Sequence, residues 1–142
     1  MKKVAMIGVG KLGQDCAEVM AEKHEVRGYD IYPRTSDTVK VCDIEELVNE
    51  SEWIFIAVPT PHAEGYDGSV PSSHMKPRDF GRDAVIDAIN NVNKYAKDSK
   101  KVVLISTVLP GTTPSAIKKV AARVWSAITR KGVKSAYTSC KL

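Results

Sequence analysis

The stretch Gly8-Val9-Gly10-Lys11-Leu12-Gly13 narrows what this chain folds into more than any other. Its G-x-G-x-x-G spacing is weak on its own and strong in context. Lys3 to Gly8 is a short apolar run ended by glycine, which reads as a buried strand. Leu12, Cys16, Val19 and Met20 then recur at i, i+4, i+7 and i+8, predicting a helix that runs to about Glu22 with these residues on its buried face. His24 to Asp30, carrying Val26 and Tyr29, reads as a second strand, and an acid closes it. Strand, glycine turn, helix and strand in that order predict a βαβ unit with parallel strands.

Each part of the turn has a physical task. Gly8 permits the tight bend, Gly10 lacks the Cβ that would hold a pyrophosphate off the backbone, and Gly13 lets the helix approach its strand. Unpaired N–H groups and the dipole of the helix then favour an anion at its N-terminus. Asp30 is placed to accept hydrogen bonds from adenosine ribose hydroxyls and to repel a 2′-phosphate, which predicts NAD in preference to NADP. Arg34 works against that preference, because an arginine there accommodates the phosphate. A Walker-type phosphate loop is excluded, since no Gly-Lys-Ser/Thr follows the turn.

The rest of the chain continues the alternation. Asp43 is a candidate N-cap for a short helix over Glu45 to Asn49. Trp53 to Val58, β-branched and aromatic, is the clearest strand. From Pro59 to Arg78 the pattern breaks: Pro59, Pro61, Pro71, Pro77 and the Asp67-Gly68 pair predict a long loop. Asp79 is a candidate cap for a helix with Ala84, Val85, Ala88, Ile89, Val92 and Ala96 on one face, and Lys101 to Ser106 reads as a further buried strand. Thr113 and Pro114 start a helix carrying Ile117, Val120, Ala121, Val124 and Ile128, which Gly132 stops; Val133 to Ser139 is a candidate edge strand. The whole reads as one α/β domain over residues 1–142, a Rossmann-type, doubly wound, mainly parallel sheet with helices on both faces.

Two later segments sharpen this. Ala57-Val58-Pro59-Thr60-Pro61 closes one strand and Ser106-Thr107-Val108-Leu109-Pro110-Gly111-Thr112 closes the next. With the glycine turn, they make the chain resemble the N-terminal, NAD-binding domain of the UDP-glucose/GDP-mannose (nucleotide-sugar) dehydrogenases over roughly residues 1–113; residues 114–142 add a helix and a basic tail. The resemblance implies NAD held by Gly8, Val9, Gly10, Lys11, Leu12, Gly13, Asp30 and Ile31, with Val58, Pro59 and Thr60 on the nicotinamide ribose side. It also implies that Thr107 approaches both the nicotinamide and the reacting sugar carbon, where its hydroxyl holds a water or a developing oxyanion. The plainer role for Thr107 is a hydroxyl that caps the loop after its strand.

Family members oxidise a sugar CH₂OH to a carboxylate with NAD, through a cysteine-bound intermediate formed in later domains. The resemblance implies that those domains are absent here, so the sequence predicts a truncated, NAD-binding part that is inactive alone. Two other readings stay open: a small 6-phosphogluconate- or hydroxyacid-dehydrogenase-like protein that needs a partner chain, and a nucleotide-binding module without chemistry. A sugar nucleotide bound with a partner domain or chain is the expected second ligand.

Composition bounds the rest. Apolar residues at 43% and charged residues at 27% fit a globular chain, and no apolar run is long enough for a membrane span. All 17 acidic side chains lie in residues 1–98, so residues 99–142 carry only basic charge. Without interleaved aromatics this reads as a solvated face rather than a nucleic-acid surface. Cys16, Cys42 and Cys140 form no metal-ligand spacing, which fits the cytoplasm; Cys16 reads as core, and neither of the others has a base assigned to it. His24, His62 and His74 read as turn or surface residues. The apolar face of the helix after Pro114, with Trp125 beside it, predicts a homo-oligomer.

Overall fold

After Lys3, every side chain of strand β1 (Lys3–Ile7) is buried, as a strand covered on both faces of a parallel sheet requires. The computed structural model describes residues 1–71 and 73–108. Following β1 come α1 (Lys11–Ala21), β2 (Glu25–Tyr29), β3 (Lys40–Val41), α2 (Ile44–Glu50), β4 (Trp53–Ile56), α3 (Asp83–Tyr95) and β5 (Lys101–Leu104). The described strands form one sheet in the order β3-β2-β1-β4-β5, and every pair is parallel. This is the predicted Rossmann-type α/β architecture. The strand order reverses between β1 and β4, which opens a crevice at the carboxyl ends of the strands.

Side-chain alternation divides the core in two. Ala5 and Ile7 of β1 and Ile54 and Ile56 of β4 point to one face, against Leu47 and Val48 of α2 and Ala88 and Val92 of α3. Val4 and Met6 point to the other, where they meet Ala17 of α1, Val9, Val26 and Val39. Helices therefore lie on both faces. On the polar side of β2, Arg27 bonds Glu25 at 3.1 Å, Glu46 at 2.8 Å and Glu50 at 3.0 Å, tying β2 to α2.

Several sequence expectations shift. Helix α1 does not bury the face expected of it: Leu12 is 57% and Val19 67% exposed, while Gly13 and Ala17 are buried with Cys16 and Met20 packed beside them. Contact at Gly13 sets the rotation of the helix, and one residue back, about 100° around it, Leu12 is turned out of the core. Asp43 stands at the N-cap position of α2 without a side-chain cap bond, and Glu45 and Glu46 complement the helix dipole instead. Asp79 does not cap α3. Arg82 holds that position, and the Asp79 carboxylate accepts from the Phe80 N–H at 2.8 Å and pairs with Arg82 at 3.5 Å.

Strand β3 has only two residues and left no periodicity to read. The loop expected over 59–78 holds no helix or strand among its described residues, and its neck is closed by the Gly81 N–H donating to the Pro61 carbonyl at 2.8 Å. At the predicted turn, Gly68 has φ +85° and the Asp67 carboxylate accepts from the Ser69 N–H at 3.0 Å. The helix read from Thr113 and Pro114, its association face, the strand at Val133 to Ser139 and Cys140 lie outside the described residues. Among the described residues, no helix is long and apolar enough to cross a membrane.

Candidate functional site

The crevice is a cavity of about 470 Å³ at the carboxyl ends of β1, β2, β4 and β5. Its floor is the turn between β1 and α1. Gly8 has φ +92°, a conformation that side-chain-bearing residues rarely adopt, and a Cβ there would lie 2.5 Å from the Ala57 carbonyl oxygen. At Gly13 a Cβ would lie 1.9 Å from the Gly8 carbonyl oxygen, so only glycine lets α1 descend onto the end of β1. Gly10 is the opposite case: a Cβ would meet nothing within 4 Å, because the position faces the cavity.

Gly10 is also the N-cap of α1. No side chain caps that end, and no acid stands in its first turn. The first N–H groups of the helix are therefore left for an anionic visitor, with Lys11 adding a positive charge beside them. The turn thus divides in two: Gly8 and Gly13 forbid a side chain for packing, and Gly10 keeps space clear above an uncapped helix end.

Asp30 stands at one end of the cavity, fixed on both oxygens. Oδ2 accepts from the Val9 N–H at 2.9 Å and Oδ1 from the Tyr32 N–H at 3.0 Å. Each carboxylate oxygen keeps a lone pair for a further donor. The Arg34 Nε lies 3.9 Å from Oδ2, drawn toward the carboxylate.

At the other end, two segments are joined side by side. The Ser106 hydroxyl donates to the Val58 carbonyl at 2.7 Å, and the Thr60 hydroxyl donates to the Thr107 carbonyl at 2.7 Å. These bonds hold the ends of β4 and β5 as one wall. Ser106 is buried, so Ser106→Ala is expected to cost ~1–2 kcal/mol by leaving the Val58 carbonyl unpaired. Urea unfolding of parent and variant checks this, and equal midpoints would show that the bond contributes nothing.

Of the residues read from sequence, Gly8, Gly10, Lys11, Leu12, Asp30, Ile31, Val58, Pro59, Thr60 and Thr107 all line this one cavity. Val9 and Gly13 lie behind its wall. The Val9 side chain is buried over Gly28, where a Cβ would come within 2.7 Å of Val9 Cγ2. A glycine inside β2 was the signal for that close approach. Sequence reading missed Tyr29 and Tyr32 and the contribution of α3, where Ala84, Asp87, Ala88 and Asn91 face the cavity. Ala84, which the sequence groups on one face with Val85 and Val92, lines the crevice instead of the core.

Neither described cysteine is poised for covalent chemistry. Cys16 packs against the α1-side core. Burial, and then the charge of Glu46, push the Cys42 thiol above its ordinary range, so it stays protonated at neutral pH. His62 lies against Phe80, with ring centroids 4.9 Å apart. His24, in the turn before β2, has a buried Nδ1 without a partner among the described residues, so it is less of a surface residue than its sequence position implied. Among the described residues, no group of His, Cys, Asp or Glu is arranged to hold a metal ion.

Fold and crevice together define a dinucleotide-binding Rossmann domain. A sequence model of the UDP-glucose/GDP-mannose dehydrogenase family's NAD-binding domain matches residues 34–136, and the chain belongs to that family as its NAD-binding part. The match starts beyond the glycine turn, so the turn stands on its own geometry. Protein CapL of Staphylococcus aureus is 30% identical over 132 residues, covering 79% of this chain and 28% of its own length. A UDP-N-acetyl-D-mannosamine dehydrogenase of Methanococcus vannielii is 29% identical over 136 residues, covering 80% of this chain and 30% of its own. Among solved structures, a UDP-glucose dehydrogenase from the archaeon Pyrobaculum islandicum aligns over 95% of this chain and 34% of its own, with a TM-score of 0.69 and 25% identity. The chain thus spans about a third or less of the length of these relatives.

Proposed function

We propose that this chain lays NAD along the carboxyl edge of its sheet and acts as the hydride-accepting part of a nucleotide-sugar dehydrogenase in the cytoplasm. The observation that carries the reading is the contrast within the turn: Gly8 and Gly13 are closed against neighbours, and Gly10 alone is open to the cavity at an uncapped helix end. Gly10, Lys11 and Leu12 cradle the pyrophosphate, with Gly8, Val9 and Gly13 shaping the turn beneath them. Asp30 takes the adenosine ribose hydroxyls on its remaining lone pairs, and Ile31 packs against the adenosine. Val58, Pro59 and Thr60 flank the nicotinamide ribose. NAD supplies the hydride acceptor when it is bound.

Thr107 is the residue of this chain nearest the proposed chemistry. It lines the cavity at the end where a sugar carbon would meet the nicotinamide, and its hydroxyl steadies a water or a developing oxyanion there. The sugar nucleotide is held by a second domain or chain. The thiol for the second oxidation comes from there as well; among the described residues, neither Cys16 nor Cys42 is suited to it.

The test is cofactor choice. Calorimetric titration is expected to give NAD an affinity about tenfold or more above NADP, and Asp30→Ala to narrow that gap. Equal affinities in the unmodified chain would remove Asp30 from the ribose and leave Arg34 to receive a phosphate.

A further inference from the structure

The cavity has a wall that the reading above does not use. Along α3, Ala84, Asp87, Ala88 and Asn91 fall on the face turned to the crevice, at the i, i+3, i+4 and i+7 spacing of one helical stripe. The two alanines make it low enough for a flat group to approach. The two polar residues sit one turn apart, and neither side chain has a hydrogen bond or ion pair among the described residues. Where the chain leaves β2, Ile31 is 77% and Tyr32 64% exposed, two large apolar side chains on the rim of the same cavity. An apolar rim facing a low helical wall makes a slot for a planar, aromatic ligand, with faces for stacking and a polar edge on one side.

We infer that α3 reads the edge of the adenine base: Asp87 accepts a hydrogen bond from the exocyclic amino group, and the Asn91 amide donates to a ring nitrogen beside it. This rests on the proposal that NAD occupies the cavity with its adenosine at Asp30. The base then lies beyond the ribose, between Ile31 and Tyr32 on one side and Ala84 and Ala88 on the other. A carboxylate is an acceptor only, so it selects for the amino group of adenine against the carbonyl oxygen that hypoxanthine carries at the same place. A base with the wrong group there leaves the carboxylate facing a lone pair, and such mismatches discriminate more strongly than lost apolar contact does.

The experiment compares NAD with its deamino analogue, nicotinamide hypoxanthine dinucleotide, by calorimetric titration of the full chain. The parent is expected to bind NAD about tenfold more tightly than the analogue. Asp87→Ala should narrow the gap from both sides, weakening NAD through the lost hydrogen bond and tightening the analogue by removing the carboxylate that faces its carbonyl oxygen. Asp87→Asn, whose amide offers a donor to the hypoxanthine oxygen, should close or reverse the gap. Asp87 is exposed on the helix, so both variants keep the fold, which circular dichroism verifies. If the parent binds both dinucleotides equally and the Asp87 variants change neither, α3 does not read the base, and NAD binding itself stands. If the parent binds neither, the occupancy of the cavity by NAD fails and the inference falls with it.

Discussion

Gly13→Ala is expected to destabilise the domain by ~3 kcal/mol, the upper part of the range for overpacking, and to lower its melting temperature by roughly 10 °C. The sign is what makes the prediction sharp. In an ordinary helix interior, glycine to alanine stabilises by about 1 kcal/mol, because alanine is the better helix former. Here the added Cβ would lie 1.9 Å from a backbone oxygen, that of Gly8. Gly8 has little room to give. Its N–H donates to the Tyr29 carbonyl at 2.8 Å, and its own Cα side is pressed against Ala57. Helix α1 would have to lift from β1, parting Ala17 and Cys16 from Val4 and Met6 in the core beneath. Thermal and urea unfolding followed by circular dichroism read the change. A variant as stable as the parent would mean that the contact at Gly13 does not set the packing of α1.

Gly10→Val is expected to do the reverse, keeping the fold and losing the ligand. The backbone at Gly10, φ −77° and ψ −170°, is extended and open to any residue. The space around its Cβ position is empty of protein atoms within 4 Å. A branched side chain there projects into the cavity over the first N–H groups of α1, where the pyrophosphate is proposed to lie. We expect NAD affinity to fall at least 100-fold, or about 3 kcal/mol, with the circular dichroism spectrum unchanged. Affinity within a factor of three of the parent would place the pyrophosphate somewhere else. Taken together, the two substitutions separate what the motif does for packing from what it does for binding, although both replace a glycine in the same turn.

Much of this was legible because the turn places several strict demands within a few residues. With Gly8 at positive φ and Gly13 against the Gly8 carbonyl, the turn ties a strand closely to a helix, so the pattern located β1, α1 and the open helix end at Gly10 together. The buried runs of β1 and β4 were equally plain, since a strand covered on both faces has no polar positions to confuse the reading. The rotation of α1 was not legible. Leu12 and Val19 fit an apolar stripe as well as Ala17 does, and hydrophobicity alone does not reveal that a glycine contact decides which stripe faces in. Asp79 was misassigned for a related reason: a carboxylate near a helix start reads as a cap, but Arg82 and the Phe80 N–H compete for it.

At the site, residues that belong to a turn or to a strand end were found from local patterns, and those on α3 were not. Asp87 and Asn91 are two polar residues on an amphipathic helix, and such residues ordinarily face solvent. Only the strand order, which sets α3 beside the crevice between β1 and β4, gives them a cavity-facing position.

The central claim is that NAD lies in this crevice, and amide chemical-shift mapping tests it most directly on a chain of 15.5 kDa. Titrating NAD into ¹⁵N-labelled protein is expected to shift the amides of Val9 to Gly13, of Asp30 to Tyr32, and of Val58 and Thr60 together, along a single saturation curve. Shifts confined to the loop over 62–78, or to the opposite ends of the strands around Lys3, Glu52 and Lys101, would contradict it.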